Sequence, residues 1–437
     1  MSEPDSPADE PEPIPLLHPA EGVPDVSASA AEIARAADTL AAGTGAFAVD
    51  AERASGFRYS NRAYLIQIRR AGAGTVLIDP VNHGGSPIDV LKPVAEVLAE
   101  DEWILHAADQ DLPCLAEVGL HPPRLYDTEL AGRLAGFDRV NLAAMVQRLL
   151  GLGLAKGHGA ADWSKRPLPP DWLNYAALDV EVLIELRDAI DAVLDGQHKT
   201  DWAAAEFEYL RRADATPTRR DRWRRTSGLH KVKTVRGLAA VRELWTVRDK
   251  IARGRDIAPG RILPDSAIVA AALADPRTVD DLIALPIFGG AKQRRSARVW
   301  LDALEASRNT EDPPEISEPL TGPPPAVRWA KRNPEAAARL DAARSALSEL
   351  SRQVSVPAEN LLAPDTVRRL CWDWAGAADV TAAVDAALRG SGARDWQRTL
   401  VVPELARALT DPRPTPPARP TPPARADVSD PDTPEIP

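Results

Sequence analysis

The segment GAFAVDAER, Gly45 to Arg53, constrains this chain more than any other stretch. An apolar run, Ala46–Val49, leads straight into Asp50, Ala51 and Glu52. Short apolar runs of this kind read as buried strands. In a strand, residues two apart point to the same side. Asp50 and Glu52 therefore aim at one space, where two carboxylates repel and neither gains from burial. Something positive has to offset this. One reading is a strand end that reaches solvent, with Arg53 or Arg58 as partner. The other is a divalent metal site, because oxygen donors suit Mg²⁺ or Mn²⁺.

Two further acidic places bear on the choice. HAADQDL, 106–112, lies at the end of a strand candidate and opens a helix. NYAALDV, 174–180, lies on a helix, where Tyr175 and Asp179 are four residues apart and share a face. Leu178 and Val182 extend that face, which turns it inward, and an inward Asp needs a partner. Asp50, Glu52, Asp111 and Asp179 form a candidate carboxylate set. Two divalent ions about 4 Å apart, held by carboxylates, stabilise both the attacking and the leaving oxygen of a phosphoryl displacement. A zinc site would instead want His and Cys ligands. Only Cys114 and Cys371 are present, and the seven His show no ligand spacing. A tyrosine one turn before a metal-binding Asp is placed to orient an attacking water.

With 437 residues the chain has room for about three domains. No apolar run approaches the 18 residues of a membrane span. The acidic, Pro-rich start lacks the features of a signal peptide, and the two cysteines suit a reducing cytosol. Residues 1–30 and 411–437 read as disordered tails, the second with the repeat RPTPPA. Residues 31–200 read as α/β, with strands at Ala46–Val49, Tyr64–Ile68, Thr75–Ile78 and Trp103–His106. Short connections predict antiparallel pairing of the first three. Helices are expected over Leu142–Leu150 and in one long element from Pro170 to Leu194. Residues 201–236 read as a basic helical connector, and the helical segments 237–310 and 326–410 flank a Pro-rich linker, 311–325. A weak repeat, GRILPD at 260–265 and ENLLAPD at 359–365, suggests two related small helical domains.

The net charge of −11 argues against a uniformly basic coat. Its distribution is uneven. From Arg211 to Arg308 there are 22 Lys and Arg against 11 Asp and Glu, an asymmetry that suggests a polyanion partner. Basic residues around Trp223, among them Arg219, Arg220, Arg222, Arg224 and Arg225, suit phosphate contact with base stacking. The alternative is a solvated helical surface.

The set FAVDAER, HAADQDL and YAALD resembles the three exonuclease motifs of the DEDD superfamily in its tyrosine-bearing subgroup, and the chain resembles the bacterial ribonuclease D family. DWSKRPLPPDWLNYAALDVEVL, 162–183, is similar to that family's approach to its third motif. RELWTVRDKIARGRDIAPGRILPDSAI, 242–268, with LPIFGGAKQRR, 285–295, resembles an HRDC domain, and 326–410 a diverged second one. The resemblance implies an α/β exonuclease domain of ribonuclease H type, with a mixed five-stranded sheet covered by helices, followed by two small all-α HRDC-type domains. The fifth strand is expected at Arg124–Asp127.

Carried over residue by residue, the resemblance makes Asp50, Glu52, Asp111 and Asp179 ligands of two divalent cations, Mg²⁺ or Mn²⁺, and Tyr175 the tyrosine of the third motif. Asp109 also lies in the second motif, but the family's acid precedes a Leu, which selects Asp111. Candidate nucleic-acid contacts are His106, Lys156, Trp163, Arg166, Arg222, Arg224, Arg225, Lys292 and Arg294. The implied activity is 3′→5′ exoribonucleolysis releasing nucleoside 5′-monophosphates. The implied partners are tRNA precursors with 3′ extensions, for a monomeric cytoplasmic enzyme. A DNA exonuclease and a catalytically silent RNA-binding scaffold are the competing readings.

Overall fold

The computed structural model describes residues 12–81, 85–154, 157–213, 221–316 and 322–412. Contacts divide the chain into two compact units, Met1–Pro319 and Leu320–Pro437. The expected tail at 411–437 lies outside the described residues from 413 onward.

The first unit runs β1 (Ile14–Leu16), β2 (Val26–Ser27), α1 (Ala30–Ala41), β3 (Thr44–Arg53), β4 (Ala63–Ala71), β5 (Gly74–Ile78), α2 (Pro87–Leu98), β6 (Trp103–Leu105), α3 (Leu112–Glu117), β7 (Leu125–Asp127), α4 (Thr128–Leu134), α5 (Leu142–Leu150), β8 (Leu152–Leu154), α6 (Pro170–Glu181), α7 (Leu183–Gly196) and α8 (Thr200–Arg212). Among the described residues the main sheet has the order β2-β5-β4-β3-β6-β7. Strands β3, β4 and β5 pair antiparallel as their short connections require, while β6 and β7 join in parallel.

Alternation along β3 sorts its side chains. Phe47, Val49 and Ala51 enter one core layer with Ile33 and Leu40 of α1 and Leu91, Val94 and Leu98 of α2. Ala48, Asp50 and Glu52 take the opposite face. There α6 packs, and its Ala176 and Ala177 join Leu65 of β4 and Leu77 of β5 in a second layer with Trp163. Ser29 starts α1 with a reciprocal capping box to Glu32.

Three expectations need correction. Residues 12–30 are not a disordered tail. β1 pairs in parallel with β8, β2 adds a sixth strand beside β5, and Asn174 holds the segment between them through its bond to the Leu17 carbonyl at 2.9 Å. Backbone pairing to distant partners compensates for the low apolar content here. Among the described residues the sheet therefore has six strands rather than five. The helix expected from Pro170 to Leu194 is two helices that meet at Val182, φ −102°, ψ −4°.

The first unit continues through α9 (Val235–Arg255), α10 (Pro259–Ile262), α11 (Asp265–Ala274), α12 (Val279–Ile283), α13 (Ala291–Arg295) and α14 (Ala297–Arg308) around Leu244, Ile268, Phe288 and Trp300. The β3–β4 connection docks on this module. Ser60 N–H donates to Asp256 at 2.8 Å, Ala258 N–H to the Phe57 carbonyl at 2.9 Å, and Tyr59 Oη to Asp249 at 3.0 Å.

The second unit holds α15 (Trp329–Arg332), α16 (Pro334–Val354), α17 (Ala358–Leu361), α18 (Pro364–Asp373), α19 (Val380–Gly390) and α20 (Asp395–Thr410). The weak repeat has a structural counterpart. α9 and α16 each run 21 residues and end on a left-handed residue, Asp256 or Ser355. Each is followed by a four-residue helix whose end is held by a glutamine amide. Gln293 donates to the Ile262 carbonyl at 2.6 Å, and Gln397 to the Asn360 carbonyl at 2.7 Å.

Candidate active site

The site assembles where β3, β6 and α6 meet. Asp50 lies opposite Gln67 of β4 in the ladder, and Gln67 Nε2 donates to Asp50 Oδ2 at 2.8 Å. Gln67 is fully buried and its Oε1 has no partner among the described residues. One amide thus fixes the rotation of the Asp50 carboxylate from behind. From α6, Tyr175 and Asp179 stand one turn apart over the strand. One oxygen each of Asp50, Glu52 and Asp179 lies within 4.8 Å of the others.

Asp111 reaches the same cleft from the end of β6. The chain turns there through Ala107, held at φ 58°, a conformation costly for a residue with a Cβ. Asp127 compensates: its buried carboxylate accepts the Ala107 and Ala108 N–H groups at 3.1 and 2.9 Å and also caps α4. Arg53 Nε lies 3.6 Å from Asp111 Oδ1. The five residues Asp50, Glu52, Asp111, Tyr175 and Asp179 line a cleft of about 680 Å³, together with Arg53, His106, Arg133, Arg139 and Asn141.

Electrostatics mark this cluster as unfavourable without a cation. Burial pushes the Asp50 carboxyl up to about 6. Burial, then the Asp50, Asp179 and Asp111 charges, push Glu52 up to about 10. Asp111 and Asp179 rise well above the carboxylate range through burial and then the Asp50 charge. Tyr175 is raised by burial and then by Asp179, so its phenol stays protonated. The converging donors are all carboxylate oxygens, and their mutual repulsion is what a hard divalent cation relieves. The residues fit such ions.

Three family profiles match this chain: "3'-5' exonuclease" over residues 26–195, "HRDC domain" over 237–304, and "3' to 5' exonuclease C-terminal domain" over 322–409. Ribonuclease D of Nitrobacter hamburgensis is 29% identical over 332 residues, covering 74% of this chain and 80% of that protein. The chain is thus similar to ribonuclease D over its exonuclease and HRDC segments. These matches make it a 3′-5′ exoribonuclease. A crystal structure of a protein from Bifidobacterium adolescentis superimposes with TM-score 0.83 at 36% identity, over 91% of this chain and all of the other. The structure of Escherichia coli RNase D, described as an exoribonuclease involved in structured RNA processing, shares the fold at TM-score 0.63 and 22% identity, over 88% of this chain and 98% of that one.

The expected nucleic-acid contacts fare unevenly. His106 lines the cleft, but burial pushes it down to about 4, and its Nδ1 pairs with Thr128 Oγ1 at 2.9 Å. It is neutral near pH 7 and offers a hydrogen bond rather than a charge. Arg166 is a correction: its guanidinium is spent on Asp79 at 2.6 Å and on the carbonyls of Tyr64, Trp163 and Lys165. Trp163 is fully buried beside Trp172 and packs the same loop. Trp223 and Arg224 are also corrections. Trp223 is buried in the HRDC-side core and is unavailable for base stacking. Arg224 lies over that ring at 4.4 Å and donates to the Glu315 carbonyl.

Arg222, Arg225 and Arg294 are exposed, whereas Lys292, also exposed, bonds the Arg261 carbonyl at 2.6 Å. Lys156, Arg219 and Arg220 lie outside the described residues. Replacing Arg222, Arg225 and Arg294 together with Ala is expected to weaken RNA binding and to flatten its salt dependence by roughly 0.7 in log–log slope for each cation that meets a phosphate. Filter binding between low and moderate salt reads this. An unchanged slope assigns these residues to the solvated surface alone.

Gln67 and Asp127 are functional supports that the sequence reading passed over. A glutamine between isoleucines in the run YLIQI, directly across from Asp50, was the available signal. For Asp127 it was an acid before a helix start, DTEL.

Proposed function

We propose that this exoribonuclease trims the 3′ ends of structured RNA, tRNA precursors with 3′ extensions foremost, releasing nucleoside 5′-monophosphates one at a time with two divalent ions, Mg²⁺ or Mn²⁺. The observation that carries this reading is the convergence of Asp50, Glu52 and Asp179 within 4.8 Å, in one cleft with Asp111 and Tyr175. Asp50, Glu52, Asp111 and Asp179 would hold the ions. Bound ions would supply a nucleophilic water near neutral pH and offset the negative charge that develops on the leaving oxygen.

The chain's own residues supply position. Gln67 fixes the Asp50 carboxylate, and the Asp127 clamp fixes the turn that delivers Asp111. The protonated Tyr175 hydroxyl stands beside Asp179 and is placed to orient the attacking water by a hydrogen bond. A cleft of about 680 Å³ is of the size that takes a nucleotide-sized ligand. Arg139 on its wall suits the phosphates of the incoming strand, whereas Arg133 is paired with Glu129, and a monomeric cytoplasmic enzyme is part of the same proposal. No helix among the described residues is long and apolar enough to cross a membrane.

The test is a time course on a 5′-labelled tRNA with a 3′ extension, with Mg²⁺ or Mn²⁺ and with EDTA, beside a DNA strand of matched sequence. A ladder of single-nucleotide steps that stops near the mature end, and is absent with EDTA, is the expected result. Faster loss of the DNA strand would overturn the substrate assignment.

A further inference from the structure

We infer that Gly157 is a positioning residue for Tyr175, a role that rests on the exonuclease reading of Tyr175 given above. The Tyr175 ring lies directly against the backbone of the segment that precedes α6. A Cβ placed on Gly157 would stand 1.6 Å from Tyr175 Cε2, 1.8 Å from Cδ2 and 2.6 Å from Cζ. Non-bonded carbon atoms in good contact sit about 3.5–4 Å apart. A side chain at position 157 and the present place of the Tyr175 ring therefore exclude each other. The demand is for space. Two residues on, the same construction at Gly159 meets only Tyr175 Oη, at an ordinary 3.6 Å.

The ring also has somewhere else to go. Tyr175 and Asp179 border a second pocket of about 410 Å³, walled by His18, Leu154, Asn174 and Leu178. The N-terminal segment builds one side of that pocket, where His18 Nδ1 pairs with Asn174 Oδ1 at 2.9 Å. His158 meets the Tyr175 ring edge-on, with centroids 6.0 Å apart. Tyr175 is thus a partition between the catalytic cleft and this pocket. Gly157 leaves the ring room to stand there, and a methyl group at 157 displaces it.

Gly157→Ala is expected to lower kcat about a hundredfold, the order of loss that a misplacement near 1 Å produces. KM and the RNA dissociation constant should stay within about twofold of the parent. The effect should not add to that of Tyr175→Phe, because both changes remove the same hydroxyl from the same place. Gly159→Ala serves as the control for disturbance of the segment and should keep most of the parent's rate.

A direct readout does not depend on activity. The chain has five tyrosines, so the Tyr175 resonance in protein carrying ¹³C-labelled tyrosine is assigned by its loss in Tyr175→Phe, and it should shift in Gly157→Ala. Parent-like kcat in Gly157→Ala, or a Gly157→Ala/Tyr175→Phe variant losing the product of the two single effects, overturns the inference. If Tyr175→Phe itself keeps the parent's kcat, the role given to Tyr175 fails. The resonance then decides Gly157 alone, and an unshifted signal removes it.

Discussion

Asp50→Asn should abolish digestion, with a loss of at least about a thousandfold, while RNA affinity changes by less than about twofold. Such a loss corresponds to about 4 kcal/mol of transition-state stabilisation. Asp50 faces two other acids within 4.8 Å and is held by Gln67 from behind. The substitution keeps its shape and removes its charge. The same change should raise the melting temperature of the metal-free protein, because it deletes one of the charges that push Glu52, Asp111 and Asp179 upward. A variant that melts higher and does not cut is the signature of a site kept strained for function. Digestion at the parent's rate would remove the metal site from the mechanism, and unchanged melting would show that the acids do not repel.

Stripping the divalent ions should make stability fall as pH rises, the reverse of what paired surface carboxylates give. The sign follows from proton binding. Asp50 and Glu52 have ordinary values of 3.8 and 4.5 and stand at about 6 and about 10 in the fold. The folded chain therefore holds protons that the unfolded chain has released, and stability drops as pH climbs from near 4 towards 10. The buried His106, ordinarily 6.5 and pushed down to about 4, works in the opposite direction, but only below about pH 6.5.

A comparison at pH 7 and pH 8.5 in EDTA lies above the His106 range, and there the buried Cys114 and Cys371 thiols, pushed up to about 12, act in the same direction as the acids. Melting should be lower at pH 8.5, and Mn²⁺ should raise it more there than at pH 7, since ions bind the deprotonated cluster. Asp50→Asn should shrink both differences. Equal melting of the parent at the two pH values, with and without Mn²⁺, would contradict the charge balance described for this cleft.

The centre of this fold was readable because it obeys short periods. The two-residue period of β3 put Asp50 and Glu52 on one face, and the four-residue spacing of Tyr175 and Asp179 put them on one side of α6. The third contribution, Asp111, needed the motif resemblance, since nothing in HAADQDL alone separates it from Asp109. What escaped the sequence depends on partners far along the chain. β1 exists because Ile14 meets Leu152, and a three-residue strand has no period of its own. Arg166 reads as a free cation until Asp79, 87 residues away, is beside it. Trp223 sits among arginines in sequence and among apolar side chains in space. Charge runs report what surrounds a residue along the chain, and burial is decided by what arrives from elsewhere.

The docked β3–β4 connection limits how this protein can be taken apart. Phe57 lies under the Arg261 guanidinium at 4.0 Å, and Tyr59 packs on the HRDC-side core while its hydroxyl bonds Asp249. These residues follow Glu52 by only a few positions on the same strand and turn. A fragment cut after α8, however neatly it ends in sequence, would uncover an aromatic seam and loosen the far end of the strand that carries both acids. Catalytic core and first helical module are thus one piece of machinery, and evolution cannot exchange that module without also rewriting the turn beside the acids.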